Sequence, residues 1–271
     1  MRPARVTNPR PFGCRSKGLW TFWGRRAAAA VVFFQTLGLT GGRGADVSFA
    51  PGEEAPYVYQ AETLSGRYTG AMEKLAIAFA RAGTNLECRA EITGADIAES
   101  AVARVTQDGY LIAAQQRSRR HGNETSAKVT TVEDGVLMSR TENGKETVKR
   151  AAPSPGQPVL CDLSILGYFR VAAPATGTTA RVLMADYTQR TAPASVRNRG
   201  DETVTVPAGT FVCHKIEVTV ETVFYRKRFS YWITQEPPHF VVKHIGIRGA
   251  STPEYSTVLL KLPEPRKAET H

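Results

Sequence analysis

The sequence predicts a mainly β protein: a curved antiparallel sheet or partly closed barrel with one short helix packed against it. Three observations predict it. Apolar and polar residues alternate in run after run, the period of half-buried strands. Turn signals recur about every ten residues, the spacing of a meandering antiparallel sheet. A single segment, after a Pro- and Gly-rich break, reads as a helix.

The elements follow in order. Tyr57-Val58-Tyr59 opens the first strand. Met72–Arg81 (MEKLAIAFAR) carries two patterns: Met72, Leu75, Ala76 and Phe79 fit a helix face, while Leu75, Ile77 and Phe79 fit strand alternation. Its Glu, Lys and Ala content favours helix on propensity, but its surroundings read as strands, and strand is the expectation. Asn85–Thr93 sets Leu86, Cys88, Ala90 and Ile92 against polar residues. Ala101–Thr106 and Tyr110–Arg117 flank a Gln107-Asp108-Gly109 turn, and Ser126–Val132 and Val136–Arg140 flank Glu133-Asp134-Gly135. Thr141–Gly144 (TENG) turns into Lys145–Lys149. The break Ala151–Pro158 suits a domain linker or a loop within one domain. Asp162 is placed to cap a helix over 162–170 carrying Leu163, Leu166 and Phe169. Arg181–Tyr187 and Val196–Thr205 then lead into the clearest stretch, Thr203–Ile247: strand, Pro-Ala-Gly turn, long strand, strand, Pro-Pro break, strand.

The net charge of +10 first suggests an anionic partner. Eight of the 35 basic residues and one of the 25 acids fall in residues 1–50, leaving 27 against 24 in the rest, a net of only +3. Nucleic acid is therefore not the expected partner. Residues 1–50 have the order of a secretory signal: a basic region, the apolar run Ala27–Leu39, then small residues. A cut after Ala50 or after Ala45 fits, and an uncleaved membrane anchor is the alternative. The expected organisation is a leader over 1–50, one antiparallel β domain over 51–262 and a disordered tail over 263–271, with the mature protein in the periplasm.

Cys88, Cys161 and Cys213 remain once a leader carrying Cys14 is removed. One disulfide with one thiol left over, or three buried thiols, are both open. Neighbouring Cys213 and His214 point to opposite strand faces, as do His239 and His244, so neither pair reads as a metal site. No GxSxG, HExxH or Gly-rich phosphate loop is present. No cofactor is expected. Two basic clusters, Arg117, Arg119, Arg120 with His121, and Arg226, Lys227, Arg228, read as solvated strand faces.

Between Val212 and Ile247 both strand faces carry large apolar groups. Val212, His214, Ile216, Val218 and Val220 form one row, and Phe224 and Trp232 oppose Phe229 and Tyr231. Such strands need cover on both sides. A sheet wrapped round a helix supplies one side; a second layer, a partner or a ligand cavity supplies the other.

Asp162-Leu163-Ser164 with Tyr168-Phe169-Arg170, then VTVPAGTFVCHKIEV and YWITQEPPHFVVK, resembles the exported bacterial proteins grouped as domain of unknown function 3108. The resemblance covers about residues 55–262 and is specific in 160–247; Met72–Arg81 departs from it in its helical composition. It implies an antiparallel β protein of the envelope without a catalytic signature. The implied fold is similar to the lipoprotein-carrier half-barrels, in which a curved sheet wraps a helix around an apolar cavity. The functional expectation is a non-enzymatic envelope protein holding an apolar or amphipathic ligand such as a lipid, with Phe169, Phe211, Val218, Phe229 and Tyr231 as the ligand-facing residues. An envelope scaffold binding a protein partner, or an enzyme acting on glycans or peptides, for which His214 beside Cys213 is the first residue to inspect, are the alternatives.

Overall fold

The computed structural model describes residues 55–66, 69–222, 226–248 and 253–264. The expected leader, residues 265–271 of the expected tail, and Phe224 lie outside the described residues.

Fifteen strands and one helix are formed among the described residues. The first eight strands are β1 (Tyr57–Thr63), β2 (Met72–Ala82), β3 (Asn85–Thr93), β4 (Ile97–Val105), β5 (Leu111–Arg120), β6 (Asn123–Val132), β7 (Gly135–Glu142) and β8 (Lys145–Ala151). Then come β9 (Val159–Leu160), α1 (Ser164–Ala172), β10 (Thr179–Ala185), β11 (Thr191–Val206), β12 (Gly209–Glu221), β13 (Arg226–Thr234), β14 (Val241–Ile247) and β15 (Glu254–Lys261). All strands belong to one sheet in the order β8-β7-β6-β5-β4-β3-β2-β1-β15-β14-β13-β12-β11-β10-β9. Two antiparallel meanders are joined where β1 pairs with β15, and the short β9 is parallel to β10. The expected turns at 107–109, 133–135 and 141–144 connect β4 to β5, β6 to β7 and β7 to β8, and Ala151–Pro158 runs from β8 to β9.

β2 is a strand despite its helical composition. It pairs with β1 on one edge and β3 on the other, and Glu73, Leu75, Ile77 and Phe79 are buried at alternate positions. Helix propensity amounts to a few tenths of a kcal/mol per residue. Burying three large apolar side chains contributes about 1.5–3 kcal/mol each, so the period of two wins.

The sheet is curved and wraps α1, without closing into a barrel. Helix and sheet approach closely at Gly167: a Cβ there would sit 2.8 Å from Val105 Cγ2 and 3.0 Å from Cys88 Sγ. The helix starts two residues later than expected, and Asp162 does not cap it. Leu163 occupies the N-cap position with no side-chain cap bond. Ser164, the first helical residue, instead ties the helix start to the preceding segment: its hydroxyl accepts from Cys161 N at 2.7 Å and donates to Cys161 O at 3.2 Å. The Asp162 side chain is thereby left to face inward.

Two apolar clusters result. One is built on β1–β7 and includes Tyr57, Tyr59, Phe79, Leu86 and Val129; the other includes Ile165, Phe169, Val196, Ile216, Val218 and Ile233. The cover for both faces of β12 comes from the sheet, with Ile165 and Phe169 of α1 adding to it on one side. Cys213 joins the first cluster while Ile216, Val218 and Val220, of opposite parity, join the second. The β11–β12 hairpin bends back so that Ala208 N donates to Leu259 O of β15 at 3.3 Å. The row expected from Val212 to Val220 is interrupted: Val212 is 53% exposed and His214 bonds Asp201.

Candidate functional site: an apolar cavity with a polar wall

Between α1 and the concave face of the sheet lies a cavity of about 480 Å³, within the range of small-molecule sites. Leu75, Ile77 and Ile92 of β2 and β3 line one side, Ile165 and Leu166 of α1 another, and Phe229, Tyr231 and Val241 of β13 and β14 the third. The strand period places them there, since each occupies an inward position of its strand. Gly246 lets β14 come close: with φ at +148°, it would place a Cβ 2.8 Å from Phe229 Cβ.

Polar groups converge on the same space. Asp162, Glu99, Asp186, His244, Arg248 and Thr257 all line it. Most are committed to protein partners. Glu99 accepts from Arg120 at 2.8 Å and Ser118 at 3.3 Å, and Arg248 donates to Glu73 and lies 3.7 Å over the Tyr255 ring. Asp186 Oδ1 accepts from Thr188 N at 2.8 Å, Thr188 Oγ1 at 2.7 Å and Arg190 N at 2.9 Å, which fixes the β10–β11 turn. Asp162 is different. Burial, then the like charges of Asp186 and Glu99, hold its carboxyl well above the usual carboxylate range, against the opposing pull of Arg248. His244, stacked 4.4 Å from the Tyr231 ring, is pushed down to about 3 by burial and then by Arg248, so its ring is neutral at neutral pH.

Of the five expected ligand-facing residues, Phe229 and Tyr231 line the cavity. Phe169 stands behind Tyr231, ring centroids 5.0 Å apart, and Val218 is fully buried opposite Phe229 in the second cluster. Phe211 lies elsewhere, edge-on to Phe240 at 5.7 Å. The residues sequence reasoning missed are Asp162, Glu99, Thr257 and the walls from β2 and β3. His244 carries a signal, a histidine set within the apolar strand VVKHIGI, although its spacing from His239 speaks only against a metal site.

The other candidate chemistry is dispersed. His214 Nδ1 pairs with Asp201 at 2.6 Å on the exposed side, while the Cys213 thiol is buried on the opposite face and raised to about 11 by burial. Cys88, Cys161 and Cys213 are free and buried. Among the described residues no three His, Cys, Asp or Glu side chains come together as a metal-binding group, and no helix is long and apolar enough to cross a membrane. Arg226, Lys227 and Arg228 are exposed, with Arg226 paired to Glu221 at 2.9 Å and Lys227 at the cavity rim.

Fold and site together define an open, curved β-sheet protein that wraps one helix around one largely apolar cavity. Residues 76–249 match the family described as "Protein of unknown function (DUF3108)", and the chain belongs to that family. Three solved structures are similar to it. The hypothetical lipoprotein YmcC from Escherichia coli K12 is 11% identical, with a TM-score of 0.33 over 80% of this chain and 92% of that one. A candidate exported protein with a YmcC-like fold from Bacteroides fragilis is 13% identical, with a TM-score of 0.30 over 80% and 98%. A candidate lipoprotein from Parabacteroides distasonis is 14% identical, with a TM-score of 0.31 over 78% and 96%. These likenesses are too distant to carry a function across. No curated protein sequence matches the chain.

Proposed function

We propose that the protein is a non-enzymatic, periplasmic envelope protein that holds an apolar or amphipathic ligand, such as a lipid, between α1 and the sheet. The observation that carries this reading is the 480 Å³ cavity walled by Leu75, Ile77, Ile92, Ile165, Phe229 and Val241. Transfer of an alkyl chain from water into such walls contributes about 0.8 kcal/mol per methylene. The basic, then apolar, then small-residue order of residues 1–50 supports export.

Titration with an environment-sensitive apolar dye tests the reading. Saturable fluorescence enhancement is expected, and Ala101→Leu, which adds bulk at a buried position facing the cavity, should weaken it in protein that still unfolds cooperatively. Absence of saturable uptake by the native protein would overturn the binding reading. Cell fractionation tests the compartment: recovery in the cytoplasm would overturn periplasmic placement.

A further inference from the structure

His244 and Thr257 are direct cross-strand partners on β14 and β15 and are 6% and 5% exposed. Both line the cavity, and neither His244 Nε2 nor Thr257 Oγ1 has a hydrogen-bond partner in the protein. Buried polar atoms are paired in the great majority of cases, so two adjacent exceptions on one cavity wall point to a ligand. The charges around them are already occupied. Arg248 is bonded to Glu73, Glu99 to Arg120, and Asp186 to the backbone of its own turn. Lys227 and Arg190 are exposed, and the Asp162 carboxyl is held toward its neutral form. What His244 Nε2 and Thr257 Oγ1 leave unspent is uncharged donor and acceptor capacity. A charged head group would have to compete with these standing bonds for a countercharge or be buried unpaired, which is costly; an uncharged one meets neither penalty.

We infer that His244 and Thr257 hydrogen-bond an uncharged, hydroxyl- or carbonyl-bearing head group, so that the cavity takes a neutral lipid of the monoacylglycerol class. The inference rests on the binding reading proposed above. The alkyl chain lies along Leu75, Ile92 and Phe229, and the head meets the β14–β15 wall.

Competition against the apolar dye, with monooleoylglycerol, oleate and oleylamine as probes, tests it on the full chain. These probes share a chain length and differ in head charge. Monooleoylglycerol should displace the dye at about tenfold lower concentration than the other two, the worth of one or two ordinary hydrogen bonds. Thr257→Val should erase most of that margin and leave oleate unchanged. The melting midpoint of this variant should not fall, because a methyl replaces an unbonded buried hydroxyl. Equal or tighter displacement by oleate or oleylamine, or a margin that survives Thr257→Val, would overturn the head-group assignment and leave the cavity reading standing. If the dye itself does not bind, both readings fall.

Discussion

Gln189 is tied to Thr147 through both ends of its amide: Nε2 donates to the Thr147 carbonyl at 2.8 Å, and Oε1 accepts from the Thr147 hydroxyl at 2.9 Å. A third bond runs from Nε2 to Met138 O at 2.8 Å. Gln189 lies in the turn between β10 and β11, near one end of the strand order; Thr147 is on β8, at the other. The two ends of the open sheet are thus fastened by a side chain, where a barrel would use a strand ladder. Gln189 is 7% exposed and has φ of +62°, a conformation unfavourable for most side chains.

Gln189→Ala should therefore destabilise the fold by about 1–3 kcal/mol, since it leaves the buried Met138 carbonyl of β7 and the part-buried Thr147 carbonyl of β8 without this donor. Gln189→Gly should be milder, because glycine relieves the positive φ while losing the same bonds. Urea denaturation of both variants checks the order; equal stability of Gln189→Ala and the parent would mean that the tie contributes nothing.

Gly167→Val should cost about 1–3 kcal/mol by overpacking, because its first added carbon already meets Val105 and Cys88. Pairing it with Val105→Ala should recover part of the loss. A double-mutant cycle by thermal unfolding reads the coupling, which should be favourable.

His244 should give the stability curve a steep acid limb. Its folded pKa is held near 3, against 6.5 for the unfolded chain, by burial and Arg248; Tyr231 and Thr257 face it from the flanking strands. As pH falls below about 6.5 the unfolded chain takes up the proton first, so unfolding is favoured. The contribution is fully present above 6.5 and is lost toward pH 3, at up to about 1.4 kcal/mol per pH unit. His244→Gln should flatten that difference in chemical denaturation between pH 6.5 and 4; parallel curves would contradict it. Asp162, with a raised pKa, works in the opposite sense above its unfolded value, so the comparison of variant with parent isolates His244.

The three thiols should be silent in the native state. Cys88, Cys161 and Cys213 are free and buried, and burial raises all three pKa values. Alkylation with iodoacetamide should label none of them in buffer and all three in denaturant, and a reductant should leave the melting midpoint unchanged. A drop in melting midpoint on reduction would reveal a disulfide.

Where the sequence alternates cleanly, the fold could be read from it. Leu86, Cys88, Ala90 and Ile92 mark β3, and Asp108-Gly109 and Asp134-Gly135 mark hairpins, because period and turn chemistry are local properties. Met72–Arg81 stood between two readings until its pairing on both edges was known. The cavity was legible on one wall only. Phe229 and Tyr231 announce themselves as aromatics on an inward parity, whereas Leu75 and Ile92 look like ordinary core until curvature brings them opposite β13. Thr257 and Asp162 look like a strand threonine and a helix cap. The significance of Thr257 comes from what fails to bond to it, and that of Asp162 from its burial beside Asp186 and Glu99, which only the assembled neighbourhood reveals.

The pairing of β1 with β15 has a consequence for biogenesis. Residues near position 60 bond to residues near position 258, so β1 keeps a bare edge until β15 arrives. Such an edge is an invitation to neighbouring chains, and closing so long a loop is slow. A chain emerging amino end first would present β1 through almost the whole of its delivery. Whatever shields it during that interval, whether a chaperone or sheer dilution, governs how much usable protein accumulates. Truncation before Glu254 should accordingly make the chain aggregate.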